Sequence, residues 1–216
     1  MPPKAEWRIF LPNVKTHPVP AEARTLSALV DHVTPVSRTD VYLKATADVG
    51  IKRRGGGGLE LKALKQRQVL RGGVGPGVVE IFQKIKLGDD ATPAQVVEHL
   101  RSETGAGGVA SGGDSEELVA LISKPVEISV NKSVRKTEVA VGKGKASFEV
   151  TAEVSVTFPE MPKDFPKSWT TFCAEGSVES IETFLGGEGK PLVELLSLRE
   201  TLQIGYPQFV QKIPTE

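Results

Sequence analysis

Basic side chains recur at alternate positions in the segment 48–86 of this chain, where apolar and charged residues alternate. Val49 and Ile51, for example, interleave with Lys52 and Arg54. A period of two predicts β-strands that carry one apolar face and one ionic face. Successive strands with Lys and Arg on the same kind of face indicate a cationic surface shaped for an anion. The alternative is an ordinary solvated strand face, and it stays open for Lys52, Arg54, Lys62 and Lys84.

The charges are unevenly distributed, although the net charge of the chain is zero. Residues 44–86 hold ten Lys and Arg against three acidic residues, whereas 147–200 hold ten acidic residues against four basic ones. A nucleic-acid-binding protein is expected to have a net positive charge and an aromatic platform, so we exclude nucleic acid as a partner. The two opposed regions predict a cavity in which basic strands hold an anion and acidic strands hold a metal ion.

The acidic candidates lie on a strand predicted over 148–158. Glu149 and Glu153 share its polar face but lie about 13 Å apart, too far to bind one ion together, and Glu153 is the favoured metal ligand. Glu60, Glu80 and Glu175 are each expected to pair with basic neighbours across strands.

The remaining elements predict a single α+β domain over 1–216, an antiparallel β-barrel with helices packed outside and a polar lumen. Helices are predicted over 21–33, after the Thr92 cap, and over 178–186 and 191–203, with a short tail element at 206–213. The Gly/Ser-rich stretch 104–115 is predicted to be a flexible loop. The predicted strands are 6–11, 38–44, 49–54, 59–67, 78–86, 126–135, 148–158 and 169–175.

Cysteine usage and hydropathy indicate a cytoplasmic location. Cys173 is the only cysteine, so it cannot form an intramolecular disulfide, and we expect it to be buried and structural. The first ten residues lack the apolar run of a signal peptide. No stretch approaches the roughly 18 to 20 apolar residues that cross a bilayer, so no membrane association is expected.

The order of motifs resembles the CYTH-like superfamily, the triphosphate tunnel fold of class IV adenylyl cyclases, thiamine triphosphatases and inorganic triphosphatases. The resemblance covers most of the chain. It is carried by the segments 6–10, 38–43, 49–54, 59–62, 80–84, 132–135 and 147–157.

The resemblance implies a tunnel lined by basic side chains that hold the phosphates of a phosphorylated small molecule or inorganic polyphosphate. The residues expected to bind it are Arg8, Lys52, Arg54, Lys62, Lys84, Lys132 and Arg135. In an enzyme, Lys62, Lys84 and Arg54 would stabilise the charge that develops in phosphoryl transfer. Glu153, helped by Glu6 and Glu80, would hold Mg²⁺ or Mn²⁺ for a triphosphatase.

The first strand departs from the family pattern. Family enzymes begin with alternating Glu, Glu and Lys, and here the same positions are Glu6, Arg8 and Phe10. Arg8 therefore stands where a second carboxylate ligand is expected. Lys132 and Arg135 are three residues apart, so they fall on opposite faces of a regular strand. The alternative to a hydrolase is a catalytically lapsed tunnel protein that binds a phosphorylated ligand or a protein partner, and a purely structural adaptor is a third class.

Overall fold

The computed structural model describes most of the chain. The described residues are 3–13, 21–54, 58–71, 77–88, 91–104, 120, 123, 126–142, 144–157, 166, 168–196 and 201–214. The side chains of 93, 100, 101, 103, 104, 152, 153, 156 and 157 are not described. Apart from the backbone of residue 104, the predicted loop 104–115 lies outside the described residues.

Eight antiparallel strands close into a barrel, which confirms the predicted fold class. They are β1 (Lys4–Pro12), β2 (Val36–Thr46), β3 (Val49–Arg54), β4 (Leu59–Val69), β5 (Val78–Lys86), β6 (Glu127–Val141), β7 (Gly144–Thr157) and β8 (Ser168–Gly176). Around the barrel their order is β1-β5-β4-β3-β2-β6-β7-β8. Closure leaves every strand paired on both sides over part of its length, so the sheet has no free edge strand.

The period of two in the sequence separates the two faces of this sheet. On β1, Trp7 and Ile9 belong to an apolar cluster that the helices cover, while Glu6 and Arg8 line a cavity in the lumen. Lys52, Arg54, Glu60 and Lys62 line the same cavity. The charged face of the strands therefore points inward, as the sequence predicts.

The described residues include five helices. They are α1 (Ala21–Ala28), α2 (Pro93–Thr104), α3 (Val178–Gly186), α4 (Lys190–Leu195) and α5 (Tyr206–Lys212). The helices α1, α3 and α4 pack on the apolar cluster that contains Trp7, and α2 packs Val96 and Val97 on the apolar face of β3 and β4. No helix within the described part of the chain has the length and apolar character needed to cross a bilayer.

The predicted start of α2 is confirmed. The Thr92 side chain accepts a hydrogen bond from the backbone N–H of Gln95, and the Gln95 side chain accepts one in return from the backbone N–H of Thr92. This reciprocal pair is a capping box, which satisfies two backbone donors that the first turn would otherwise leave unpaired.

Two helices are shorter than the sequence predicts. The first ends at Ala28 instead of residue 33, and the helix expected over 191–203 ends at Leu195. Leu202 instead exchanges two backbone hydrogen bonds with Phe10 of β1. β5 pairs with β1 only over Lys4–Glu6, so Phe10 has unpaired backbone groups that Leu202 satisfies.

The fifth helix closes one end of the lumen. Phe209 stacks on Phe10 with ring centroids 4.1 Å apart, and Tyr206 stacks on Tyr42 at 5.3 Å. These residues belong to an apolar cluster with lumen-facing side chains of β6 and β7, such as Val130 and Val154. The lumen is thus ionic along most of the basic strands and aromatic where α5 packs against the barrel.

Candidate functional site

Four basic side chains converge on the carboxylate of Asp40, which is fully buried. Lys132 Nζ lies 2.8 Å from Asp40 Oδ2, and Lys52 Nζ lies 3.7 Å from the same oxygen. The Nε atoms of Arg54 and Arg38 lie 3.5 Å and 3.7 Å from Asp40 Oδ1. We call these five residues the Asp40 cluster. Strands β2, β3 and β6 are neighbours in the barrel, so their lumen-facing positions bring these side chains together.

The Asp40 cluster has an excess of positive charge. Burial opposes ionisation of Asp40, but Lys132 and Lys52 outweigh it and lower the pKa of the carboxyl to about 2. Burial lowers the pKa of Lys132 well below its usual value, despite the attraction of Asp40. Burial likewise lowers the pKa of Lys52, and the repulsion of Arg54 adds to this effect. A bound anion would relieve this repulsion and favour the charged forms of both lysines.

The opposite side of the lumen carries three carboxylates, those of Glu6, Glu149 and Glu175, which we call the acidic wall. Arg8 joins two of them, because its Nε donates to Glu6 Oε1 at 3.0 Å and its Nη2 donates to Glu149 Oε1 at 3.2 Å. Its Nη1 donates to the Thr171 hydroxyl at 2.9 Å. The guanidinium thus uses all three nitrogens within the barrel.

Lysines neutralise the rest of the acidic wall. Lys62 Nζ lies 2.6 Å from Glu6 Oε2, while Lys84 and Lys136 lie 3.4 Å and 2.9 Å from the two oxygens of Glu175. Burial disfavours the charged form of Glu6, but Lys62 and Arg8 prevail and hold its pKa well below the usual value. Glu149 is also buried, and Arg8 lowers its pKa in the same way.

Tyr206 of α5 connects the two sides of the lumen. Lys132 Nζ lies 3.7 Å from the centroid of its ring, and the Arg8 guanidinium carbon lies 4.7 Å from it. An aromatic face attracts a cation without neutralising it. The ring therefore stabilises both cations while leaving their positive charge available to an anion.

The Asp40 cluster and the acidic wall border a cavity of about 60 Å³, which has room for about four water molecules. Among the described residues, seven basic and four acidic side chains line it. A second cavity, of about 200 Å³, shares Glu6 and Arg8 with the first and is also lined by Arg67, Glu80 and Gln203. The two cavities together offer a polar space on either side of Arg8.

Three groups lie close enough together to hold a metal ion. One ligand atom from each of Glu6, Cys173 and Glu175 lies within 4.8 Å of the others. The donor set does not suit Mg²⁺ or Mn²⁺, which take oxygen ligands. Burial raises the pKa of the Cys173 thiol well above its usual value, so the sulfur stays protonated. Both carboxylates already form ion pairs with basic side chains.

The structure brings most of the predicted site residues to the first cavity. Its lining includes Arg8, Lys52, Arg54, Lys62, Lys84, Lys132 and Glu6. Glu80 lies at the second cavity, where Arg67 Nε donates to its carboxylate at 3.2 Å, and its burial raises its pKa. Arg135 instead donates to the backbone carbonyl of Val33, after α1, at 3.2 Å. The side chain of Glu153 lies outside the described residues. The roles of all these residues in binding or catalysis stay predictions.

Sequence reasoning did not assign roles to Arg38, Asp40 and Tyr206. A signal for the first two was available, because Arg38, Asp40 and Tyr42 alternate with Thr39 and Val41 in the pattern of the basic strands. Tyr206 gave no such signal, since its position depends on how α5 packs at the end of the barrel.

No family model matches this sequence, and no curated protein matches it. Among solved structures, the chain is similar to a putative adenylyl cyclase from Hippeastrum described as having a dominant triphosphatase activity. That similarity has a TM-score of 0.38 and 12% identity and covers 86% of this chain and 88% of the other. The chain is also similar to the PH1819 protein of Pyrococcus horikoshii OT3, with a TM-score of 0.40 and 11% identity over 97% and 98% of the two chains. The closed antiparallel barrel with its charged lumen fits the CYTH-like fold that the sequence resemblance implies.

Proposed function

We propose that this protein binds a phosphate polyanion, either inorganic polyphosphate or the polyphosphate group of a small molecule, in the lumen of its barrel. The observation that carries the proposal is the Asp40 cluster, in which four basic side chains surround one buried carboxylate and Lys52 also pairs with Glu60 at 3.1 Å, so the basic groups still outnumber the acidic ones. The excess positive charge lies in a partly enclosed space, where charge-assisted hydrogen bonds to phosphate oxygens are strong.

The distribution of charge supports a polyanion over a single small anion. Basic residues reach the first cavity from β1, β2, β3, β4, β5 and β6, so positive groups surround the space instead of marking one point. A chain of phosphates can contact several of these groups at once. Arg38 and Arg54 add planar guanidinium groups that can bind phosphate oxygens in pairs.

The test is ligand-induced stabilisation of the folded protein. A ligand that binds only the folded state raises the free energy of unfolding by about 2.7 kcal/mol at a free concentration of about one hundred times its Kd. We expect tripolyphosphate, pyrophosphate or ATP to raise the melting temperature at constant ionic strength. Chloride or sulfate at equal ionic strength is the control for general salt effects.

Two neighbouring arginines provide a matched pair of variants. Arg54 lies in the Asp40 cluster with its side chain 46% exposed, whereas Arg53 is 48% exposed and pairs with Glu127, which does not line the lumen cavity. We expect Arg54→Gln to weaken polyanion binding about tenfold, since a charge-assisted contact is lost, and Arg53→Gln to leave it unchanged. Equal effects of the two changes, or no stabilisation by any polyanion, would contradict the proposal.

Hydrolysis of the bound polyanion is a separate property, which the resemblance implies through Glu153, Glu6 and Glu80 as ligands of Mg²⁺ or Mn²⁺. A phosphate-release assay on tripolyphosphate, thiamine triphosphate and nucleoside triphosphates, with either metal, distinguishes hydrolase from binder. Metal-dependent release that Glu153→Gln abolishes identifies a triphosphatase. Tight binding with no release identifies the lapsed tunnel protein.

A further inference from the structure

Every carboxylate of the acidic wall already has a basic partner inside the protein. Arg8 bridges Glu6 and Glu149, Lys62 holds the other oxygen of Glu6, and Lys84 and Lys136 hold Glu175. Four positive side chains thus face three negative ones. This part of the lumen needs no divalent cation to neutralise it.

We propose, on the basis of the polyanion-binding function above, that the ligand binds in its metal-free form and that Arg8 supplies the positive charge a divalent cation would otherwise supply. The guanidinium lies between the carboxylates of Glu6 and Glu149, so its charge occupies the place where an ion bridging them would sit. Free Mg²⁺ then competes with the protein for the ligand and weakens binding.

The positive charge of Arg8 is always present, and several contacts fix its position. An arginine side chain stays protonated at all physiological pH values, so its charge cannot be switched off. Thr171 and the ring of Tyr206 hold the guanidinium in addition to the two carboxylates. A divalent cation could bridge Glu6 Oε1 and Glu149 Oε1 only by displacing this group, and two positive charges in one buried space repel strongly.

Arg8 is also placed to meet the ligand. It lines the first cavity together with Lys132 and Lys52 of the Asp40 cluster, and it lines the second cavity together with Arg67. A phosphate group in the first cavity can therefore contact Arg8 and the lysines of the Asp40 cluster together. A ligand bound together with a metal ion would have to bring that cation into a space lined by seven basic residues, where all four acidic side chains already pair with basic ones.

The experiment is a calorimetric titration of the wild-type chain with tripolyphosphate at neutral pH, once with EDTA and once with excess Mg²⁺ at the same ionic strength. We expect a lower Kd in EDTA and at least a threefold higher apparent Kd in Mg²⁺. A second measurement titrates the wild-type protein with Mn²⁺ alone and follows the free ion by electron paramagnetic resonance, where no stoichiometric binding is expected. Neither measurement depends on a variant that has to fold.

Variants at Arg8 then test whether its guanidinium supplies the positive charge in place of a divalent cation. Arg8→Gln is expected to weaken tripolyphosphate binding in EDTA about tenfold and to create a Mn²⁺ site by freeing Glu6 and Glu149. Arg8→Lys keeps the charge and should retain binding in EDTA without gaining Mn²⁺, and Lys145→Gln, which changes an exposed lysine paired with Glu138, serves as the control.

Three outcomes separate this inference from the function on which it rests. Tighter binding in EDTA with no Mn²⁺ bound to the wild type supports it. Tripolyphosphate binding that requires Mg²⁺, or stoichiometric Mn²⁺ binding by the wild type, overturns it while the polyanion-binding function stands. Absence of binding of tripolyphosphate, pyrophosphate and ATP under both conditions overturns both.

Discussion

At the scale of single residues, Asp40 holds the basic side chains of the lumen together. It is fully buried, and four cations lie within 3.7 Å of its oxygens. Without its charge these cations would repel one another in a partly enclosed space. Its role is therefore to keep a surplus of positive charge in place, rather than to bind a ligand itself.

We expect Asp40→Asn to lower the free energy of unfolding by about 3 kcal/mol, the cost typical of removing one partner from a buried ion pair. Urea denaturation measures this loss of free energy, and the slope of the free energy of unfolding against urea concentration should be the same in the variant and the wild type. Asp48→Asn is the matched control, because that carboxylate is 43% exposed and pairs with Arg67, so its loss should cost less than about 1 kcal/mol. Equal losses in the two variants would disprove the structural role of Asp40. Tripolyphosphate should stabilise Asp40→Asn more than it stabilises the wild type.

The lowered pKa of Asp40 also predicts how the free energy of unfolding depends on pH in the acid range. Its folded-state pKa is about 2, below the ordinary value of 3.8. Ionised Asp40 therefore stabilises the fold above pH 4, and this contribution of about 2 kcal/mol is lost as the pH falls from about 4 to 2. The measurement is the difference in free energy of unfolding between the wild type and Asp40→Asn across this range. The difference should shrink as the pH falls, and a constant difference would contradict the assignment.

At the scale of elements, the position at which α5 packs against the barrel depends on a glycine of β3. A Cβ atom at Gly50 would lie 2.9 Å from Cγ of Pro207, closer than real Cβ atoms approach another carbon. The ring of Pro207 is rigid, so the helix and not the side chain would have to move. Gly50 thereby sets how closely α5 approaches the lumen.

Gly50→Ala is accordingly expected to displace α5 and to cost about 2 kcal/mol of stability, as overpacking does elsewhere. Trp169 packs edge-on against Phe209 of α5 with ring centroids 5.3 Å apart, so its fluorescence should change when the helix shifts. Gly187→Ala is the control, since a Cβ there meets only ordinary contacts at 3.5 Å or more. Unchanged fluorescence and stability in Gly50→Ala would show that the helix tolerates the added methyl group.

The elements that the sequence predicts well are those with a local pattern. Each strand that alternates apolar and charged residues is present, because the period of two determines which side chains can be buried on one face. The packing of α5 on the barrel and the pairing of Leu202 with Phe10 were not predictable, since both depend on contacts between residues far apart in the chain. For the same reason the sequence identifies Lys52 and Lys132 as basic, but not the carboxylate that they share.

At the scale of the whole molecule, the barrel places its charged face inward and its apolar face outward. This arrangement is stable because α1, α2, α3 and α4 cover the apolar face, while the internal ion pairs satisfy the charged one. A protein built this way can concentrate seven basic residues around one cavity while its net charge remains zero.

The closure of the barrel must wait until β8 has been made, long after β1. Ala5 of β1 pairs with Gly176 of β8, so the last seam joins residues from the two ends of the sheet. On a ribosome that adds about 5–20 residues per second, the roughly 170 intervening residues take on the order of ten to thirty seconds to make. Until then β1 has no partner on that side, and its apolar residues Trp7 and Ile9 lack the helices α3 and α4 that later cover them. We therefore expect the newly made chain to expose these apolar residues until β8 and the later helices are made, and to fold slowly because its contacts are so distant in sequence.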